Sequence, residues 1–83
     1  MSSFVYILEC SDKSYYVGST HDVDERIKYH NSGNGAVWTA KRLPIKLVYT
    51  EQCSDNLTAS RRERQIKWWT REKKEKLIKW EWQ

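Results

Sequence analysis

The stretch Phe4-Val5-Tyr6-Ile7-Leu8-Glu9-Cys10 is apolar on both faces and rich in β-branched and aromatic residues, the pattern of a strand buried on both sides. The chain has 83 residues, and the short spacers between its apolar segments leave room for one hydrophobic core only. Residues 1–83 are therefore expected to form one domain, with every element sharing that core. A domain this small buries only about 60–65% of its unfolded surface, so large side chains are needed to fill the interior. Five Trp, five Tyr and one Phe supply them.

Ser11-Asp12-Lys13-Ser14 provides turn chemistry, and Tyr15-Tyr16-Val17-Gly18-Ser19 reads as the returning strand of a hairpin. An odd number of loop residues puts Tyr6 and Tyr16 on one face of the hairpin, and an even number puts them on opposite faces. The sequence leaves both open. Asp22, with Glu25 three residues later, forms a capping-box pattern for a helix over residues 22–32, closed by Gly33 and Asn34-Gly35. Residues 36–44 show no sustained period, and Pro44 disfavours helix at Leu43, so a loop is expected there. Residues 45–52 read as a third strand, with Ile45, Leu47 and Tyr49 alternating against Lys46, Val48 and Thr50. Ser54 or Asp55 can cap a second helix running to about Trp69, and Thr70 a third running to about Trp80. The order β-β-α-β-α-α predicts an α+β domain, a small three-stranded sheet covered by helices.

The formal charge of +4 is unevenly placed. Residues 61–81 hold nine basic side chains against four acids, a surplus of five, while the rest of the chain sums to about −1. A basic third of this kind suits either a polyanion-facing surface or a solvated helical face laced with Glu–Lys pairs. Cys10 and Cys53 sit in apolar, strand-like stretches, which suits buried reduced thiols; a disulfide framework or a zinc site needs more ligands at closer spacing. No apolar run approaches the ~18 residues of a membrane span, and the signal-peptide pattern is lacking, so no membrane partner and a reducing cytoplasm are expected.

Five polar positions stand out. Glu63 lies within the helical arc marked by Ala59 and Ile66, where an apolar residue is expected. A buried carboxylate calls for a cation: an Arg or a metal, or else an intrahelical pair with Lys67. His30 falls on the face of the first helix marked by Val23 and Ile27, with Arg26 one turn before it. Such an Arg offers planar recognition of a phosphate beside a group able to carry a proton. Tyr6 and Tyr16 put two polar tips in the hairpin, and Gly18 allows a backbone or ligand to come close. Among the tryptophans, Trp68, Trp69, Trp80 and Trp82 suit either base stacking or core closure; Trp69 and Trp80 are expected to close the core and Trp82 to be partly exposed.

Phe4-Val5-Tyr6, ten residues before Tyr16-Val17-Gly18, followed by Arg26-x-x-x-His30 and a later helical Glu63, resembles the GIY-YIG endonuclease superfamily. Val5-Tyr6-Ile7-Leu8, Tyr16-Val17-Gly18-Ser19-Thr20 and Arg61-Arg62-Glu63-Arg64-Gln65-Ile66-Lys67 look like its small stand-alone bacterial members. The first motif reads Phe-Val-Tyr for Gly-Ile-Tyr and the second Tyr-Val-Gly for Tyr-Ile-Gly; both keep the tyrosine. The resemblance implies a three-stranded sheet and one metal-dependent nuclease site acting on nucleic acid, DNA before RNA. It implies that Glu63 binds one Mg²⁺ or Mn²⁺, Tyr6 helps activate water, Tyr16 and Arg26 hold the scissile phosphate, and His30 assists proton movement. Lys41, Trp38 and Thr39 are the candidate substrate contacts. Characterised members of the superfamily generally carry further DNA-binding domains or large insertions; the lack of one here implies weak binding, a recruited partner or no efficient nuclease activity.

Overall fold

The structure, a computed structural model, describes residues 2–81. Two strands open the chain, β1 (Ser3–Glu9) and β2 (Tyr15–Thr20), followed by helix α1 (Val23–Asn31) and a short α2 (Val37–Ala40). Strand β3 (Lys46–Cys53), α3 (Asn56–Lys67) and α4 (Arg71–Glu81) complete it. The sheet is antiparallel in the order β2-β1-β3. β1 is central, which is why its sequence is apolar on both sides: Val5, Ile7 and Leu8 are fully buried and Tyr6 nearly so. The α+β class and the β-β-α-β-α-α order hold, with one addition. Residues 36–44, expected as a loop, contain the single turn α2; Thr39 holds it by donating its hydroxyl to Ala36 O at 2.9 Å.

Pairing of Glu9 with Tyr15 leaves residues 10–14 as the hairpin loop, an odd number. Tyr6 lies opposite Gly18 and Leu8 opposite Tyr16, so both tyrosines project from the same face. In β3 the expected alternation fails. Ile7 pairs with Tyr49 and Leu8 with Leu47, so Val48 is an extra residue, a β-bulge. Ile45 and Leu47 consequently pack with Tyr6, Leu8 and Cys10 on one face, while Val48 and Tyr49 turn to the other, with Val5, Ile7, Val17 and Cys53.

The helices divide between those faces. Ile27 of α1 packs on the Tyr6 side, and Ala59 and Ile66 of α3 pack on the Val5 side. Local signals place the ends. Asp22 accepts from Glu25 N at 3.1 Å, and Gly33, at φ 85°, closes α1 through its N–H to His30 O. Asp55 accepts from Thr58 N at 2.7 Å, and Thr70 Oγ1 accepts from Lys73 N at 3.2 Å. α3 therefore stops at Lys67, and Thr70 belongs to the start of α4. Trp69, Leu77 and Ile78 pack against the α3-side core. Trp80, expected there too, is 71% exposed: two residues on from Ile78, it points about 200° away around the helix. Trp82 lies outside the described residues. Both cysteines are buried and free, as their surroundings suggested.

Candidate active site

The polar positions meet at the outer edge of β2, approached from both faces of the sheet. On one face, Tyr6 is 2% exposed and its hydroxyl lies 3.1 Å from His30 Nε2. His30 is equally buried, and its Nδ1 lies 2.9 Å from Thr39 Oγ1. Tyr16 stands edge-on to the imidazole, ring centres 5.2 Å apart, and its other neighbour is the Trp38 indole, stacked at 6.3 Å. Arg42 covers Trp38 at 4.1 Å and reaches Asp12 of the hairpin loop at 3.1 Å, tying α2 to the sheet.

Two glycines make this packing possible. A Cβ on Gly18 would lie 2.6 Å from Tyr6 Cζ, and one on Gly35 would lie 2.9 Å from His30 Cγ, both inside hard contact. The sequence pointed to close approach at Gly18. Gly35, read only as part of a helix stop, turns out to give the loop room to pass over His30.

From the other face comes Glu63. Its Oε1 accepts the Ser19 hydroxyl at 2.7 Å, and its Oε2 lies 3.7 Å from Lys67 Nζ. Strand alternation turns Ser19 away from Tyr16 and toward α3, so the parity that decides the tyrosines also supplies this carboxylate with its support. The intrahelical pair is thus present, but loose. With Lys67 half exposed, it leaves the outer oxygen open to another cation.

Arg26 stands between the two groups. It lines a recess of about 230 Å³ with Ser19, Thr20 and Ser60, and Ser60 also lines the adjoining recess of about 450 Å³ that holds Glu63, Arg64, Lys67 and Trp68. Arg26 also lines a recess of about 380 Å³ with His21 and Tyr29, so the site residues lie along a strand edge with shallow recesses and not inside one concavity. Electrostatics join them. Burial raises the Tyr6 phenol, the neighbouring Tyr16 raises it further, Arg26 opposes that and Glu63 adds to it. Burial likewise raises Tyr16, with Glu63 raising and Arg26 lowering it. Burial, and then Arg26, push His30 below its ordinary value, so it is neutral at pH 7.

The candidate substrate contacts separate. Trp38, 37% exposed, stands beside Tyr16 at the rim, and Lys41 is exposed at the end of α2. Thr39 is fully buried and cannot touch a substrate; its hydroxyl is occupied by His30 and Ala36. Nothing in the sequence separated it from its neighbours, because the turn that buries it was not legible. Trp68, 82% exposed, borders the Glu63 recess.

The basic third divides by position. Arg71 pairs with Glu75 and Lys76 with Glu72, as a solvated face does, while Arg64 and Lys67 line the recess beside Glu63. Among the described residues no group of three or more His, Cys, Asp or Glu could hold a metal. One carboxylate steadied by a serine suits a hard cation that keeps most of its water, the habit of Mg²⁺, and not a closed zinc or calcium cage.

Comparison with known proteins shows the family and the fold. The family model described as the GIY-YIG catalytic domain matches residues 2–77. A UPF0213 protein of Staphylococcus aureus (strain Mu3) is 49% identical over 78 residues, 94% of this chain and 95% of that protein. UPF0213 protein HQ_3675A of Haloquadratum walsbyi is 49% identical over 74 residues, 89% of this chain and 83% of that one. The solution NMR structure of UPF0213 protein BH0048 from Bacillus halodurans superposes with a TM-score of 0.61 at 48% identity, over 95% of this chain and 84% of that one.

Proposed function

The chain belongs to the GIY-YIG catalytic domain family, and on that premise we propose that it is a divalent-metal-dependent endonuclease hydrolysing nucleic-acid phosphodiesters, DNA before RNA. The observation that carries this reading is the meeting, at one strand edge, of a supported carboxylate, an arginine and a hydrogen-bonded Tyr–His pair. Glu63 holds one Mg²⁺ or Mn²⁺, which when bound supplies positive charge at the phosphate oxygens. Ser19 keeps the carboxylate aimed outward.

Arg26 fixes a non-bridging oxygen of the scissile phosphate and opposes the charge that develops there, a contribution of the kind worth about 10²–10³ in rate. Tyr16, half-buried against His30, orients the phosphate from the opposite side. Tyr6 accepts a hydrogen bond from the attacking water, and His30 carries the proton onward. Trp38 at the rim and the exposed Lys41 contact the flanking nucleotides.

The test is cleavage of branched, flapped, single- and double-stranded DNA with Mg²⁺ or Mn²⁺, with Glu63→Ala beside the wild type. Metal-dependent cleavage that falls by at least about 10²-fold in the variant supports the reading; cleavage persisting unchanged in Glu63→Ala sinks it. The ion pair that already occupies Glu63 favours a second reading, a nucleic-acid-binding module without turnover. That reading expects no cleavage, with salt-sensitive binding that survives loss of Glu63.

A further inference from the structure

A directional chain of hydrogen bonds runs from the backbone of α2 to the Tyr6 hydroxyl, and its direction can be worked out proton by proton. Thr39 Oγ1 lies 2.9 Å from Ala36 O and 2.9 Å from His30 Nδ1. The carbonyl can only accept, so the single hydroxyl proton serves that contact, and the other is made by a proton on Nδ1. The reverse arrangement leaves two oxygens 2.9 Å apart with no proton between them, the Ala36 carbonyl then keeping only its bond from Ala40 N at 3.0 Å. A neutral imidazole has one N–H. With that proton on Nδ1, Nε2 is an acceptor, and the Tyr6 hydroxyl donates to it across 3.1 Å. The Tyr6 oxygen then keeps its lone pairs as acceptors, beside Gly18 of β2.

We propose that Thr39 is the positioning residue that locks His30 in its Nδ1–H form, committing the Tyr6 proton to His30 Nε2 and leaving the Tyr6 oxygen as an acceptor for the attacking water. This rests on the hydrolytic reading above for its consequence, but not for the tautomer. In the step it serves, a water O–H bond breaks as its oxygen bonds to phosphorus, and its proton passes to the Tyr6 oxygen. The Tyr6 proton passes to His30 Nε2. The phosphorus bond to the leaving oxygen breaks, that oxygen takes a proton from solvent, and the imidazolium returns one to solvent. Without Thr39, neutral His30 divides between two tautomers, and in the wrong one Nε2–H donates to Tyr6, so that Nε2 cannot take the Tyr6 proton. Gly35 belongs to the same device: the loop that delivers Ala36 O and Thr39 passes too close to the imidazole for any side chain at that position.

Nitrogen-15 correlation spectra of the whole chain at neutral pH read the tautomer directly, with exposed His21 as internal reference. Wild-type His30 is expected to show a protonated Nδ1 and a bare Nε2. Thr39→Val keeps the side chain's shape and removes the hydroxyl; it is expected to mix the two forms and to lower kcat about 10–100-fold with KM unchanged, while Thr39→Ser restores both. A wild-type His30 protonated on Nε2 overturns the proposal, and so does a Thr39→Val protein with an unmoved tautomer or an unmoved kcat. Should Thr39→Val fail to fold, the wild-type tautomer together with Thr39→Ser decides. If the wild type cleaves none of the substrates, the nuclease reading falls and the tautomer still decides the role of Thr39.

Discussion

Strand β1 sends alternate side chains into two different environments. Val5 and Ile7 enter a layer with Val17, Tyr49, Ala59 and Ile66, closed from outside by Trp69, Leu77 and Ile78. Tyr6 and Leu8 enter a smaller layer where Tyr6, His30 and Thr39 are buried and every polar tip has a partner. The first layer gains mainly from area removed from water and tolerates no loss of volume. The second gives up some apolar burial to hold two hydroxyls and an imidazole in fixed relation, an arrangement in which one missing partner leaves another buried group unsatisfied. The same strand thus separates stability from chemistry by parity alone. Glu63 is the exception: it is carried by the helix of the stabilising face and reaches the site only because β2 is an edge strand.

The largest effect is expected on the apolar side. Ile66→Ala removes a fully buried side chain and is expected to cost about 2–5 kcal/mol in chemical denaturation. Cleavage per folded molecule should stay unchanged; a fall in kcat would show that α3 transmits its packing to Glu63 and would break the separation. Gly18→Ala acts on the other side, where the added methyl must displace the Tyr6 ring. A loss of about 1–3 kcal/mol is expected, together with a fall in cleavage that Ile66→Ala does not show. Wild-type turnover in Gly18→Ala would mean that the ring position is not critical.

The smallest effect is a pH slope. His30 has a folded pKa below its unfolded value, so the unfolded chain binds the extra proton first as pH falls. Stability from this source is complete above about pH 6.5 and is lost as pH falls from there through the lowered folded value. Asp12 and Asp55, held below the ordinary carboxylate value by bonds from Ser14 and Thr58, begin to lose theirs only in more acid solution, near pH ~4 and below. Denaturation midpoints between those regions should therefore fall with pH in the wild type and flatten in His30→Asn; an equal slope in both would remove His30 as the cause.

Much of the site was legible because helical position and charge are local properties. Asp22, Gly33 and Asp55 place helix ends through bonds made within a few residues, and Arg26 and His30 share a helix face by spacing alone. The gathering of Tyr6, Tyr16, Arg26, His30 and Glu63 was reached through family resemblance, with the tyrosines waiting on a hairpin parity that the loop over residues 10–14 resolves. What stayed hidden was non-local. A bulge at Val48 redirects Tyr49, because the register of β3 is set by its partner strand. The turn α2 has no periodic signal in four residues, so the burial of Thr39 and the close passage of Gly35 could not be read. Exposure of Trp80 likewise depends on which side of α4 meets the sheet.

The sequence by itself determined the α+β class, the element order, the buried first strand, the Asp22 cap and the candidate set of polar residues, since each follows from periodicity, capping chemistry or an ordered motif within reach of its own neighbours. Only the tertiary structure decided that Ser19 supports Glu63, that Thr39 serves His30 and not a substrate, and that the site lies along a strand edge with shallow recesses. Those outcomes depend on which face of a strand or helix meets which neighbour, and a shift of one residue in register reverses every one of them.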